Sequence, residues 1–305
     1  MKYLVATFIL LLGQEVIAKT EKGLERINFF PNVKAYAAFE FHNQNLLITT
    51  PKNAVNDTEI RNNRNLFAAS YGHRVDNVFL GLTGFYEIAS ESAANFGIPS
   101  NKRSNSQGLK EPAIFFLSRL RQQKGTTGNI DFYLSFTDSW GAREVGGSTS
   151  NRLNGFNILQ ARLSHGMHED LWEFRNRFSY TFHDEGEEHN KFTKGRYDIG
   201  SFNVFCYSFT GQYEYNPWLF LNATAEFEYR TIQKISSRRE ADGKREIQAG
   251  TGSIFRIGAK KPLNDWSVVE LNAELKRYDY FVQGDNNFDG KAIQTTYSLS
   301  YTHGF

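Results

Sequence analysis

The C-terminal stretch from Ala292 to Phe305 alternates between two kinds of side chain. One set is mostly apolar or aromatic and consists of Ile293, Thr295, Tyr297, Leu299, Tyr301, His303 and Phe305. The other set is small or polar and consists of Gln294, Thr296, Ser298, Ser300 and Thr302. Because successive side chains of a β-strand point to opposite faces, this stretch predicts a strand with one apolar face and one polar face. Such a strand fits a wall between hydrocarbon and water, and it also fits the edge of a soluble sheet.

The N-terminus has the form of a secretory signal peptide. Lys2 is followed by an apolar run over residues 3–12 and then by the cleavage-type sequence Val16-Ile17-Ala18. The run is shorter than the ~20 residues of a membrane-spanning helix, and no cysteine directly follows it to carry a lipid anchor. We therefore expect residues 1–18 to be removed on export, residues 19–32 to form a short leader, and residues 33–305 to form the folded body.

Composition limits the class of this exported chain. After the signal peptide, no stretch approaches the ~18 consecutive apolar residues of a membrane helix, and the mean hydropathy is −0.51. The chain is therefore soluble or crosses a membrane with alternating strands, whose hydropathy averages out to polar. A content of 27 Phe and 15 Tyr against 6 Pro favours strands. The single cysteine, Cys206, excludes an internal disulfide framework.

About twelve strands are predicted, and their connections alternate between short and long. Period-two alternation is strongest over residues 130–137, 172–182, 219–229 and 269–275, in addition to the C-terminal stretch. Short connections are predicted near residues 73–77, 122–127, 166–169, 216–217 and 261–265. Long polar loops are predicted over residues 44–65, 90–111, 141–154, 184–195, 236–245 and 283–290. A soluble sandwich has no reason to alternate its loops in this way.

These features together resemble the outer-membrane β-barrels of Gram-negative bacteria, including a terminal Phe305 after alternating aromatic residues. The resemblance implies an all-β fold: one up-and-down antiparallel transmembrane barrel of about 12 strands over residues 33–305, with short periplasmic turns and long extracellular loops. It implies a periplasmic leader over residues 19–32 and a location in the cell outer membrane. It also implies outer-membrane lipid and lipopolysaccharide as surroundings, and a barrel assembly machinery that reads the C-terminal strand. Membrane-interface aromatics are expected at Trp140, Trp172, Trp218, Trp266 and Phe305.

The polar face of each predicted strand supplies candidate pore-lining residues. Counting outward from the short turns predicts three facing pairs, which are Arg119 with Asp131, Arg162 with Glu173, and Arg256 with Glu270. Further from the turns, Arg175 and Arg177 lie two strands away from Glu226 and Glu228, and small residues such as Ser208 and Thr210 lie between them. Basic and acidic ladders on opposite sides of a narrow gap resemble the constriction of porins. The alternative is a network of ion pairs that fills the interior and leaves no pore.

Other candidate sites are weaker. The sequence from His183 to His189 is rich in His, Asp and Glu but selects no metal, and residues 285–290 match only the first half of a Ca²⁺ loop. Ser164 and His165 are neighbours, so on a strand they point to opposite faces and form no nucleophile and base pair. Glycine-rich phosphate loops and long basic tracts for nucleic acid are absent. We therefore expect no cofactor, no metal site, no nucleic-acid partner and no enzymatic activity.

The sequence favours a porin-like channel for passive diffusion of small polar or charged solutes through a mixed-charge lumen. A second interpretation is a plugged barrel that acts as a surface anchor, adhesin or receptor, and a third is an outer-membrane hydrolase with a histidine such as His165 or His183. The lining charges nearly balance, so they favour neither sign of solute. The apolar outer residues suit lipid and a second subunit equally.

Overall fold

The structure is a computed structural model, and it describes residues 33–49, 58–76, 78–95, 98–121, 129–137, 152–154, 157–190, 195–237, 244–283 and 288–305. The expected signal peptide and leader lie outside these residues. Within them, no helix has the length and hydropathy needed to cross a bilayer.

Seventeen strand segments make up a single antiparallel sheet. In chain order they are β1 (Ala35–Thr49), β2 (Thr58–Val75), β3 (Val78–Asn95), β4 (Ile98–Arg121), β5 (Asn129–Thr137), β6 (Arg152–Asn154), β7 (Ile158–Glu169), β8 (Trp172–His183), β9 (Gly186–Asn190), β10 (Gly195–Ile199), β11 (Phe202–Asn216), β12 (Leu219–Arg230), β13 (Gln233–Ser237), β14 (Lys244–Ile247), β15 (Gly250–Asn264), β16 (Ser267–Gln283) and β17 (Phe288–Gly304). Short interruptions divide some strands of the wall into two segments, so the segments form a closed wall of 12 strands.

The wall closes because β1 pairs with both β2 and β17. The pairing of β1 with β17 runs from Tyr36 opposite Gly304 to Thr49 opposite Lys291. Beyond it, the Lys34 amide donates to the Phe305 carbonyl oxygen at 2.8 Å, and the Phe305 amide donates to the Ala35 carbonyl oxygen at 2.7 Å. The all-β, 12-strand antiparallel barrel predicted from the sequence is therefore confirmed.

Each strand of the wall turns one set of side chains outward and the other set inward. On β12 the burial alternates residue by residue, with Leu221 exposed and Asn222 and Thr224 buried. Large apolar side chains are exposed on the outer face of strands around the barrel, as for Leu82 and Phe227. The same alternation puts serine, threonine, amide and charged side chains on the inner face. The barrel is thus apolar outside and polar inside.

Tight turns lie at the end of the barrel that also holds Phe305. Asp76 and Asp170 have φ values of 53° and 49°, a left-handed conformation that aspartate tolerates in turns. In two further turns an asparagine side chain accepts a hydrogen bond from a tryptophan amide. These bonds join Trp218 to Asn216 at 2.9 Å and Trp266 to Asn264 at 2.8 Å.

One predicted turn is wrong in position. The sequence places a turn at residues 166–169, but β7 continues through Glu169 and the turn is formed by Asp170 and Leu171. Gly166 lies within β7 opposite Arg175, and a Cβ there would come within 3.6 Å of the Arg175 Nε and of a Glu173 carboxylate oxygen. These are ordinary van der Waals distances, so the glycine is simply part of the strand and does not start a turn.

Several predicted long loops are largely β-structure. Residues 90–111, expected to be a loop, belong to β3 and β4, which pair from Val78 opposite Ser118 to Asn95 opposite Ile98. Segments β9, β10, β13 and β14 likewise extend strands into the predicted loops at 184–195 and 236–245. The sequences of these extensions lack the period-two alternation that marks a strand in the wall. Backbone pairing between the strands therefore continues beyond the residues in which polar and apolar side chains alternate.

A crease crosses four neighbouring strands of the wall. The strands are interrupted at residues 184–185, 200–201, 231–232 and 248–249, and the segments beyond these points pair with one another. At the crease the His183 ring stacks on the Phe202 ring, with centroids 4.2 Å apart. The Arg230 guanidinium lies 4.0 Å from the centroid of the same Phe202 ring. The crease separates the lower wall from its upper extensions.

Candidate lumen site

The described pore-lining candidates lie on the inner face of the wall. Their backbones occupy inward positions in the register of β5, β7, β8, β12, β15 and β16, and the side chains described there are Asp131, Arg162, Glu173, Arg175, Arg177, Glu226, Glu228, Arg256 and Glu270. The backbone of Arg119 occupies the equivalent position on β4. Charge of both signs therefore surrounds the barrel interior.

Of the three predicted facing pairs, one is confirmed in the backbone register and two are wrong. Arg119 lies opposite Asp131. Arg162 lies opposite Ser179 instead of Glu173, because the turn between β7 and β8 comes later than predicted.

The third pair is wrong for a similar reason. Arg256 lies opposite Glu274, and Glu270 lies opposite Lys260, because β15 continues to Asn264 and carries a bulge between Pro262 and Asn264. An error in one turn shifts every pair on its hairpin.

Four carboxylates of the lumen form local ion pairs. Arg175 bonds Glu173 on its own strand at 2.6 Å, and Arg256 bonds one oxygen of Glu274 through Nε at 2.9 Å and through a terminal nitrogen at 2.5 Å. The other two pairs are Lys276 with Glu228 at 2.6 Å and Lys260 with Glu270 at 3.6 Å. Sequence reasoning missed Lys260, Glu274 and Lys276, although all three occupy the inward parity of their strands.

Only some residues of the predicted basic and acidic ladders lie in register with one another across β11. Arg177 lies opposite Ser208, which in turn lies opposite Glu226, so a small serine separates these two charges. Glu228 is not matched with Arg175, because Glu228 lies opposite Cys206, which lies opposite Ser179. Lys276 on β16 bonds Glu228.

The backbone register across the wall instead connects Arg175 to another arginine. Arg175 lies opposite Thr210, Thr210 opposite Thr224, and Thr224 opposite Arg256. Arginines therefore face each other across a row of threonines.

Of the predicted lining arginines with described side chains, two lack a carboxylate partner. Among the residues that the structure describes, neither Arg162 nor Arg177 lies within ion-pair distance of a carboxylate. The Arg162 guanidinium lies 4.3 Å from the centroid of the Tyr133 ring. The Nε of Arg177 is buried and has no hydrogen-bond partner. Arg177 interacts electrostatically with Arg162, Arg175 and Arg256, and with Glu226 as the nearby carboxylate.

One side of the lumen is aromatic. The Tyr36 ring lies 5.5 Å from the Phe79 ring and 6.2 Å from the Phe115 ring, and Phe115 lies 6.1 Å from Tyr133. Because Tyr133 also contacts Arg162, the aromatic cluster borders the arginines. No signal for this cluster was recognised in the sequence, since Phe79 and Phe115 lie on the inward face, where the alternation predicts polar residues.

The tryptophans that the structure describes lie at the end with the tight turns. Trp218 and Trp266 belong to turns, and Trp172 begins β8 directly after a turn. Trp172, Trp266 and Phe305 are exposed, and Trp172 packs on Tyr213 with centroids 4.7 Å apart. Trp140 lies outside the described residues.

The weaker candidates of the sequence bring no second site together. Within the described part of the chain, no three His, Cys, Asp or Glu side chains are placed to hold a metal ion. Ser164 is buried on the inner face, and His165 occupies the opposite parity of β7, as predicted. Most of the half Ca²⁺ loop, residues 285–287, lies outside the described residues.

An apolar hollow of about 530 Å³ lies on the outer face of the wall, across β17, β1, β2 and β3. Its lining includes Phe39, Phe67, Gly84, Tyr86 and Tyr301. Because it opens to the apolar side of the barrel, it is separate from the lumen.

No protein-family model and no curated protein sequence matches the chain. Its structure is similar to the COG4313 outer membrane channel from Pseudomonas putida F1, with a TM-score of 0.55 and 11% identity over 90% of this chain and 96% of that one. It is also similar to the transport unit of the autotransporter AIDA-I from Escherichia coli, with a TM-score of 0.53 and 10% identity over 96% and 94%. A third similar structure is the translocator domain of the autotransporter NalP from Neisseria meningitidis, with a TM-score of 0.50 and 10% identity over 92% of each chain. The fold is that of outer-membrane β-barrels.

Proposed function

We propose that the protein is a channel of the Gram-negative outer membrane, through which small polar or charged solutes diffuse passively. The observation that supports this proposal is the closed wall, apolar outside and lined inside by charges of both signs. A lining of this kind replaces part of a solute's hydration, and its charges sort solutes by sign and size. The similarity to an outer membrane channel agrees with the proposal at the level of fold.

The lining residues that we propose to act on a solute are Arg175, Arg177, Glu226 and Glu228. Arg175 and its partner Glu173 remain 31% and 18% exposed at their side chains, so the ion pair meets water inside the barrel. Pairs such as Arg256 with Glu274 stiffen the wall, because each bridges neighbouring strands. We propose the same role for Lys260 with Glu270.

Conductance in a planar bilayer tests the channel directly. The purified, folded barrel is expected to give discrete current steps whose size rises with salt concentration. Replacing both Arg175 and Arg177 by Ala removes two positive charges from the lumen and should shift the preference from anions toward cations by roughly fivefold, since a unit charge a few Å away is worth about 1 kcal/mol in water.

The matched control is Arg277→Ala, because Arg277 lies on β16 at an exposed outward position. This change removes a positive charge without altering the lumen, so ion preference should stay as in the wild type. A heat-modifiable, folded barrel that never conducts would show that the channel proposal is wrong.

We further propose the location and the partners that follow from such a fold. The outer face would contact outer-membrane lipid and lipopolysaccharide, and exposed Trp172, Trp266 and Phe305 would lie at the periplasmic interface. The C-terminal strand β17 would be read by the barrel assembly machinery, and export would use a cleaved signal peptide over residues 1–18. We propose no enzymatic activity for the barrel.

A second candidate function is a plugged barrel that anchors or displays a surface structure. Two observations favour it: the aromatic cluster on one side of the lumen, and the 24-residue strand β4, which continues well beyond its pairing with the 9-residue β5. A plugged barrel would give no current in the bilayer experiment, and removing the outer hairpin would then abolish partner binding.

A further inference from the structure

We propose that Arg162 and Arg177, with Arg175 and Arg256 beside them, form a binding site for an oxyanion in the lumen, a carboxylate or phosphate group of a small solute. This inference deepens the proposed channel function and rests on it for its biological role. It does not follow from the count of lining charges, which nearly balance. It follows from which of those charges are already paired.

Among the predicted lining arginines with described side chains, Arg162 and Arg177 form no ion pair with a carboxylate, and Asp131 is the carboxylate that interacts electrostatically with Arg162. Glu173, Glu228, Glu270 and Glu274 are each bonded to a basic side chain other than Arg162 or Arg177. Both arginines are half-buried, and the Nε of Arg177 is buried without a hydrogen-bond partner. An ionised group that is partly removed from water without a partner is costly, and an arginine does not lose its proton to avoid that cost. An anion that enters the lumen would pair with these guanidinium groups and remove the cost. We therefore expect the anion to bind beside them.

The residues on either side of Arg177 in the wall are small. Its neighbours across the strands are Ser164 on β7 and Ser208 on β11, both small and buried. Their hydroxyl groups can donate to an oxyanion as well as accept from the guanidinium. Glu226 lies one strand beyond Ser208 and forms no ion pair with Arg177.

The two arginines can act on one ligand. Arg162 lies opposite Ser179, and Arg177 lies opposite Ser164, so they are diagonal neighbours on β7 and β8. Diagonal positions of this kind lie ~7–8 Å apart, within reach of long side chains. Tyr133 supports Arg162 from the side of the aromatic cluster. Planar guanidinium forks match the geometry of carboxylate and phosphate oxygens, which explains the choice of oxyanion over a simple halide.

Isothermal titration calorimetry on the purified barrel in detergent tests the site without requiring conduction. Inorganic phosphate and acetate are titrated separately at constant ionic strength. Binding of either anion supports the site, and the tighter of the two tells whether the solute carries a phosphate or a carboxylate. If neither anion binds, the inference is wrong.

Variants tie that binding to the residues. Arg177→Gln should raise the dissociation constant about tenfold or more, since a hydrogen bond to a charged group is worth about 1.5–3 kcal/mol. Arg177→Lys keeps the charge but loses Nε and the fork, so it should also weaken binding. Glu226→Gln removes the nearby carboxylate and should strengthen binding, a result that a merely structural role of these residues does not predict.

Arg277→Gln on the outer face is the matched control and should bind like the wild type. Equal weakening by Arg177→Gln and Arg277→Gln, or wild-type binding by Arg177→Lys, would overturn the site. Each variant is first checked for heat-modifiable migration, and Arg162→Gln replaces Arg177→Gln if the latter does not fold.

The two proposals fail separately. A barrel that conducts but binds neither anion keeps its channel function and has no oxyanion site. A barrel that binds phosphate or acetate but never conducts has the site and is not a channel.

Discussion

Glycine residues on the inner face make room for the aromatic cluster. Gly72 lies opposite Gly81 on the neighbouring strand, and a Cβ at Gly72 would collide with the Tyr36 ring. A Cβ at Gly81 would collide with the Phe115 ring and with the Tyr71 carbonyl oxygen. The rings therefore pack on bare backbone, which covers the ladder and fixes the position of the cluster relative to Arg162.

Gly81→Ala is expected to destabilise the barrel by about 1–3 kcal/mol, because the methyl group overpacks a site closed by a ring and by backbone. Urea unfolding of the barrel in lipid vesicles measures the change. Gly84→Ala on the same strand is the control: its Cβ would have nothing within 4 Å, so stability should change by no more than ~0.5 kcal/mol. Equal effects of the two substitutions would contradict the packing argument.

At the level of single residues, the sequence predicted which charges face inward but not which of them meet. Parity along a strand survives an error in turn position whenever the error moves the register by an even number of residues. The predicted cross-strand partner becomes wrong after such an error. Arg162, for example, faces Ser179 instead of Glu173. Gly166 suggested a turn because glycine is common there, but it lies within β7 opposite Arg175.

The hairpin of β3 and β4 continues well beyond the last residues at which β4 pairs with β5. Its outer part pairs without a gap from Ser90 opposite Asn105 to Ala93 opposite Lys102. The outer part of β3 also pairs with β2, up to Thr58 opposite Asn95. Below it, β3 pairs with β2 from Val75 opposite Val78 to Arg64 opposite Ala89, and β4 pairs with β5. Because these lower pairings do not depend on the outer part, we expect the outer part to be dispensable for barrel formation.

Deleting residues 91–104 and joining Ser90 to Asn105 through an Asn-Gly turn tests this expectation. The pair being joined already lies in register, and Asn-Gly suits a two-residue hairpin turn. The shortened protein should keep heat-modifiable migration and the current steps of the wild type. Loss of folding would show that the hairpin is needed for the wall, and loss of current alone would show that it forms part of the conduction path.

At the level of elements, the sequence predicted the strand number and the alternation of connections, because the wall strands separate two different solvents. It missed the strand extensions because their sequences show no period-two alternation of polar and apolar side chains. The crease at residues 184–185, 200–201, 231–232 and 248–249 depends on pairing among four strands, so no single stretch of sequence signals it.

For the whole molecule, the two faces of the wall should respond differently to the same substitution. Leu82 is 62% exposed on the outer face, five residues from a tight turn. Gln212 is buried on the inner face, where its amide donates to Glu173 at 3.4 Å. An arginine at the first position would meet lipid, and an arginine at the second would meet a carboxylate.

Leu82→Arg is expected to lower the free energy of unfolding in a phospholipid bilayer by about 2–4 kcal/mol, the cost of a basic side chain near the bilayer midplane. Gln212→Arg should cost clearly less, because the new side chain keeps a hydrogen-bond acceptor. Urea titration in vesicles measures both. The reverse order would mean that the apolar face is not the face in contact with lipid.

The seam between β1 and β17 has a consequence for how the chain reaches its final state. It joins Tyr36 to Gly304, positions separated by nearly the full described chain, and contacts so distant in sequence have the highest closure entropy and form late. Until they form, two strand edges stay open, and open edges recruit foreign strands. Newly exported chains would thus be most vulnerable to aggregation before the last strand docks, so the speed of docking decides the yield.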